Sequence, residues 1–238
     1  MKLDILAIGV HPDDVELSCS GTLLKHLTVG KICGILDLTI GELGTRGSGE
    51  LRLQEAEDAA KILGVSVRDN LGMADGFFQN DKEHQLKIIQ KIRQYKPEII
   101  LCNAIEDRHP DHGRAAKLVS EACFYSGLRR IKTTHEGEVQ ECWRPKAVYH
   151  YIQDRQLKPD FVVDVSDFIE KKMEAIMAFR SQFYDPNSNE PESPISAKNF
   201  FDVVKGKMSL FGRDAGFNYA EGFTVERAPG VKDLFDLK

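Results

Sequence analysis

Two short histidine-proline motifs carry the residue types of a metal or acid–base site. The first is His11-Pro12-Asp13-Asp14-Val15-Glu16 and the second is Asp107-Arg108-His109-Pro110-Asp111-His112. Read alone, each is an ordinary helix start. Proline suits the first helical position, and acids in the first turn complement the helix dipole by ~0.3–1 kcal/mol each. Read together, they hold more imidazoles and carboxylates than helix starts need. Two imidazoles and one carboxylate suffice for a catalytic metal that keeps a position open for water. His11 and Asp14, three residues apart across a helix start, can converge on one ion, and His112 can supply the third ligand. Asp13 then lies beside the ion without a ligand role, suited to act as base on water. His109 and Asp111 make a candidate imidazole–carboxylate pair facing the same space. A 2-His-1-carboxylate set also describes non-haem iron oxygenases, and the ligand types alone do not separate the two. The free Asp13 leans toward hydrolysis, which needs a base next to the water it activates.

The surrounding elements must bring the motifs together, and their patterning does so. Residues 3–10 read as a buried strand ending at the first motif. Residues 98–103 read as a compact apolar strand ending just before the second. Between them lie a helix over 15–29 closed by Gly30, a strand over 32–40, and a glycine-rich loop over 41–49. Then come a helix with Ala56, Ala59, Ala60 and Leu63 on one face, ended by Gly64, a short strand over 65–71 and a helix over 81–95. A helix over 113–126, strands over 147–152 and 161–165, and a helix over 167–180 follow. Continuous apolar strands alternating with helices indicate an α/β fold, a Rossmann-like doubly wound and mainly parallel sheet with helices on both faces. In the order 3-2-1-4-5, strands 1 and 4 are neighbours whose connections leave in opposite directions. The crevice this opens at their carboxyl ends is where both motifs fall. A dinucleotide site is argued against, because HPDDVE stands where GxGxxG would follow strand 1.

Composition narrows the partners. The chain has 238 residues and a net charge of −5, with 37 acids against 32 bases, so it has no basic excess for nucleic acid. No apolar run approaches the ~20 residues that span a bilayer. The apolar N-terminal segment holds Asp4 and no small-residue cleavage site follows it, so it reads as a strand and not as a secretion signal. Five dispersed cysteines without a CxxC pair fit reduced thiols in a cytoplasm, with Cys19, Cys33, Cys102 and Cys123 in the core. His26, His84, His135 and His150 have no ligand-spaced partner and read as surface or core residues. One domain is expected, with a core over about residues 1–180 and a C-terminal subregion over 181–238. The polar, proline-rich stretch 185–194 reads as a loop or lid, and regular alternation is lost after it.

At the two motifs the sequence resembles the LmbE-like (PIG-L) N-deacetylase family. The likeness is supported by Gly41-Glu42-Leu43-Gly44-Thr45-Arg46-Gly47 and by Arg52, Glu55 and Ala56 in the next helix. Ser181-Gln182-Phe183-Tyr184 and the tail segments 211–216 and 220–223 are similar to one branch, the N-acetylglucosaminyl-malate deacetylases of bacillithiol biosynthesis. The resemblance implies a zinc-dependent hydrolase with one Zn2+ per subunit, held by His11, Asp14 and His112. It implies Asp13 as general base, His109 as the group that stabilises the oxyanion or protonates the leaving amine, and Asp111 as the partner of His109. It also implies a small N-acetylated amino-sugar conjugate as substrate. The two malate carboxylates would call for arginines, whose fork matches a carboxylate bidentately. Arg52 and Arg108 are the first candidates and Arg46 the next. Glu42 is a candidate for sugar hydroxyls and Tyr184 for a hydroxyl donor. A homo-oligomer such as a hexamer is implied too, with no nucleic-acid or membrane partner. Deacetylation of another sugar such as a chitooligosaccharide, iron-dependent oxidation, and a non-enzymatic binding module stand as alternatives.

Overall fold

The computed structural model describes residues 1–236. Its architecture follows from strand β1, Ile5–Gly9, in which every residue is buried. A strand apolar on both faces must sit inside a sheet and be covered from both sides. β1 pairs in parallel with β2 (Cys33–Thr39) on one edge and with β4 (Ile99–Cys102) on the other. On one face Ile5, Ala7, Ile35 and Leu101 pack under Val15, Cys19 and Leu23 of α1 (Asp14–Thr28), Leu63 of α2 (Gly49–Leu63) and Ala175 of α5 (Ile169–Met177). On the other, Leu6, Ile8, Leu36 and Ile100 pack under Ile88 and Ile92 of α3 (Lys82–Tyr95) and Leu118 and Val119 of α4 (Pro110–Ser126).

With β3 (Val67–Met73), β7 (Ala147–Tyr151), β8 (Phe161–Asp164) and β9 (Ala220–Val225), the described residues form a seven-stranded sheet of order β3-β2-β1-β4-β7-β9-β8. Its first five positions match the expected 3-2-1-4-5 arrangement. β9 runs antiparallel to both of its neighbours. A two-stranded hairpin, β5 (Thr134–His135) with β6 (Glu138–Val139), stands apart from the sheet. The five cysteines are free; Cys142 is exposed and the other four are buried. No described helix is long and apolar enough to cross a membrane.

Two elements differ from the sequence reading. α4 begins at Pro110 and not at residue 113, so the second motif is itself the first helical turn, with His109 as its N-cap. Proline and two polar residues give no apolar period, which hides this turn from pattern reading. The tail is regular as well. It holds α6 (Phe200–Ala215) and β9, which inserts between β7 and β8. β9 escapes the pattern because Glu221 and Gly222 interrupt its apolar run.

Glu221 is buried for a reason. Its carboxylate accepts bonds from Lys172 Nζ at 2.8 Å and from the backbone N–H groups of Gly21 and Thr22 at 2.9 and 2.7 Å. Lys172 Nζ also donates to the carbonyls of Glu16 and Leu17, each at 2.9 Å. An ion pair from α5 and β9 thus enters the backbone of α1 and fixes the helix that follows the first motif. Removing one partner of a buried pair strands the other and costs about 3–5 kcal/mol. Lys172→Met is expected to lose stability of that order in denaturant unfolding. A loss below about 1 kcal/mol, as for surface pairs, would mean that the pair is solvated.

Candidate metal centre and catalytic cavity

β1 and β4 lie side by side in register, Ile5 opposite Ile99 and Ala7 opposite Leu101. From their carboxyl ends the chain leaves to α1 on one face and α4 on the other. Three imidazoles meet in the gap between these exits. The ring centroids of His11 and His109 are 4.8 Å apart, those of His11 and His112 5.6 Å, and those of His109 and His112 5.2 Å. Gly9 lets the first motif fold back over the strand end, because a Cβ there would stand 3.1 Å from Asp14 Cβ.

Asp14 is at the centre. Its Oδ2 accepts from the backbone N–H groups of Val10 and His11, both at 3.0 Å, and from Asn103 Nδ2 at 2.9 Å. Its Oδ1 faces His112 Nε2 at 3.3 Å and accepts from Gln153 Nε2 at 3.1 Å. Burial alone would raise its pKa, but His112, His11 and the backbone N–H groups hold it well below the carboxylate range. The two flanking rings are braced from outside. His11 Nε2 lies 2.9 Å from Asp75 Oδ1, and His112 Nδ1 lies 2.6 Å from Asp107 Oδ2. His11 Nδ1 and His112 Nε2 therefore turn toward Asp14, where a metal would bind in place of a proton on each ligating nitrogen. Outer carboxylates that fix ring orientation in this way accompany metal-ligating histidines in general. The ligand atoms of His11, Asp14 and His112 all lie within 4.8 Å of one another and all three residues are buried. This donor set fits a divalent metal. Burial opposes a charge on His112, yet Asp14 and Asp107 raise its pKa to about 10. A second group, His11, His109 and Asp111, also meets the 4.8 Å spacing. It is the weaker ligand set, since both Asp111 oxygens are engaged elsewhere: Oδ2 accepts from the Gly76 N–H and Oδ1 from Arg114 Nη1, each at 2.8 Å.

Asp13 caps α1 with φ 125° and ψ −22°, a conformation rare outside glycine that costs of order 1–3 kcal/mol. Arg52 of α2 holds it there, with Nη2 donating to Asp13 Oδ2 at 2.9 Å and to the Pro12 carbonyl at 2.8 Å. Burial pushes the Asp13 carboxyl up to about 6, against the pull of Arg52. A carboxyl in that range is a stronger base near neutral pH than an ordinary aspartate. His109 Nδ1 accepts the backbone N–H of Asp111 at 3.3 Å, which puts the proton of the neutral ring on Nε2. Burial and the neighbouring His11 and His112 lower the pKa of His109, while Asp111 and Asp14 oppose them.

These residues line one cavity of about 300 Å³. Its lining also includes the apolar side chains of Ile152, Phe200, Val204 and Phe211. The expected substrate residues divide. Arg46 and Arg108 line the cavity, Arg108 at its rim with Nε 2.5 Å from Asp154. Arg52 lines it too, but its charge is spent on Asp13 and not left for a substrate carboxylate. Asp111 makes no hydrogen bond to the His109 ring through its carboxylate, which accepts from the Gly76 N–H and Arg114 Nη1 instead. Glu42 is outside the lining, since its carboxylate accepts the Asp75 N–H at 2.8 Å and braces that loop. Tyr184 is exposed and outside the lining, while its neighbours Gln182 and Phe183 turn inward. The sequence reading missed Asp75 and Asp107. Asp107 lies inside the second motif, and Asp75 follows the end of β3, a strand end on the same side as the crevice. Those two positions were the available signals.

A braced His–His–Asp triangle beside a buried base, at the switch point of a doubly wound sheet, could hold a metal ion next to a group able to take a proton. Known proteins agree. The family model for GlcNAc-PI de-N-acetylases (PIG-L) matches residues 6–123. The chain is 29% identical over 239 residues to diacetylchitobiose deacetylase of Thermococcus kodakarensis, covering 95% of this chain and 84% of that protein. It is 25% identical over 206 residues to the probable N-acetyl-alpha-D-glucosaminyl L-malate deacetylase 2 of Bacillus anthracis, covering 75% and 81%. The crystal structure of the conserved protein TT1542 from Thermus thermophilus superposes with a TM-score of 0.85 at 34% identity, covering 97% of this chain and 98% of that one. This chain belongs to the PIG-L, or LmbE-like, deacetylase family, and it is a hydrolase of that family.

Asp13→Asn keeps an acceptor for Arg52 but cannot take a proton. It is expected to lower kcat by about 10²–10⁴-fold with metal content unchanged, read by elemental analysis beside the assay. Loss of metal together with activity would make Asp13 a ligand. Asp107→Ala frees the outer nitrogen of His112 and is expected to weaken metal binding by about 10–100-fold in a chelator competition.

Proposed function

We propose that this protein removes the acetyl group from N-acetylglucosaminyl conjugates by metal-dependent amide hydrolysis. The observation that carries the reading is the single cavity holding the ligand triangle, the Arg52-braced Asp13 and His109. A divalent metal held by His11, Asp14 and His112, zinc by the family resemblance and one per subunit, would supply a Lewis acid that polarises the amide carbonyl and acidifies water. Arg52 fixes the orientation of Asp13. Asp13 takes a proton from the attacking water as it adds to the acetyl carbonyl. His109 Nε2–H donates to the oxygen that gains charge, where one such donor is worth about 3 kcal/mol. The proton on Asp13 then passes to the leaving nitrogen, and acetate and the free amine depart.

The finer reading takes N-acetylglucosaminyl-malate as substrate, within bacillithiol biosynthesis, in a cytoplasmic homo-oligomer. Similarity to the Bacillus anthracis protein supports the substrate, and the five free cysteines support the compartment. A second reading, a chitooligosaccharide, is favoured by the longer match to the Thermococcus kodakarensis deacetylase. Acetate release from N-acetylglucosaminyl-malate and from diacetylchitobiose, each with and without a chelator, separates them. The expected result is release from the malate conjugate, abolished by chelation and restored by zinc. Release from chitobiose alone would move the substrate, and insensitivity to the chelator would sink the metal chemistry. Light scattering on the same sample reads the number of subunits.

A further inference from the structure

Three arginines are buried as whole residues among those described: Arg46, Arg52 and Arg93. Two of them are engaged through their terminal nitrogens by protein groups. Arg52 faces the Asp13 carboxylate. Arg93 has no acid beside it, but it donates to the carbonyls of Ser126, Leu128 and Ile131 and to the Thr133 hydroxyl. Arg46 is left open. Its Nε donates to the Ser181 carbonyl at 3.2 Å, while Nη1 and Nη2 have no protein partner and the residue enters no ion pair among the described residues. It is 6% exposed, and it lines the cavity that holds Asp13 and the ligand triangle. A guanidinium this deep is costly unless something within reach answers its charge.

The other cavity-lining cations are already occupied. Arg52 and Arg108 pair with Asp13 and Asp154, and Lys207 gives its ammonium to the carbonyls of Gln153 and Asp154. Arg46 is also held in place. Gln182 Nε2 donates to the Arg46 carbonyl at 2.9 Å, and Ser181 is tied to Glu55 through both its N–H and its hydroxyl at 2.7 Å. Gly47, at φ 68°, packs so close that a Cβ would stand 2.8 Å from Ser181 Cβ. Loop 46–47 and segment 181–182 interlock, so the guanidinium is anchored by Nε and presents two free nitrogens. That free edge matches a carboxylate bidentately, and a site fixed in advance loses little entropy on binding.

We infer that Arg46 receives a carboxylate on the leaving half of the substrate and so selects acidic N-acetylglucosaminyl conjugates over neutral ones. The inference rests on the deacetylase reading above and adds the specificity residue. A single sugar hydroxyl would engage one of the two free Arg46 nitrogens, whereas a carboxylate engages both and brings the opposite charge.

The test uses the zinc-loaded full chain with Arg46→Met and Arg46→Lys, each checked for zinc content and thermal unfolding. Arg46→Met is expected to raise KM for N-acetylglucosaminyl-malate by about tenfold or more, the scale of a lost charge-assisted pair, with methyl N-acetylglucosaminide changed by less than about twofold. Arg46→Lys keeps the charge, falls between, and carries the test if the methionine variant does not fold. Calorimetric titration with L-malate is expected to show the same weakening. An equal loss on both substrates overturns the assignment, because Arg46 would then serve the sugar or the loop. No change on either overturns it as well. If the wild type cleaves neither substrate, the deacetylase reading fails on its own, and the malate titration decides Arg46: equal affinity in wild type and Arg46→Met overturns it.

Discussion

A buried aspartate that must stay ionised organises this protein. The Asp14 carboxylate is 4% exposed, accepts two backbone N–H bonds and two side-chain amide bonds, and faces two imidazoles. Its partners come from the end of β1, from Asn103 just past β4, from Gln153 just past β7 and from α4. One carboxylate thus ties together three strand ends and the start of a helix on the opposite face. A charge so placed is tolerable only with this many donors and positive charge nearby, an environment in which a metal ligand also fits.

A second layer of buried charge keeps the first in position. Asp75 and Asp107 orient the two rings, and Arg52 orients Asp13. Glu16, the last residue of the first motif, reaches none of the reacting groups. It is fully buried and accepts from Arg68, which also bonds Asp37 twice. With the Lys172–Glu221 pair entering its backbone, α1 is gripped by side chains from β3, α5 and β9, and Asp37 of β2 holds the β3 arginine. Such networks cost desolvation, and the bonds they do make hold the backbone they enter. Rigidity is useful where ligand atoms must hold their spacing.

Much of this was legible in the residue string. Leu3, Ile5 and their neighbours announced a buried strand, and alternation with helices announced the sheet. Two motifs at the ends of β1 and β4 announced a meeting point, because sheet order follows from short-range patterns and a handedness rule. His11, Asp14 and His112 do lie together. The start of α4 and the strand β9 were not legible. In both places polar residues with tertiary partners, His112 with Asp14 and Glu221 with Lys172, stand where a pattern looks for apolar ones.

The sequence by itself determined the fold class, the ligand types and the place where they converge. These depend on local periodicity and on side chains too short to reach far from their own backbone. The tertiary structure alone decided what each long polar side chain does. Arg52 turned to Asp13, Arg108 to Asp154, Glu42 to a backbone N–H, and Arg46 stayed open to the cavity. A guanidinium on a flexible stem can meet any acid within several ångströms. Which acid it meets is set by packing between elements distant in sequence, and no local pattern records that.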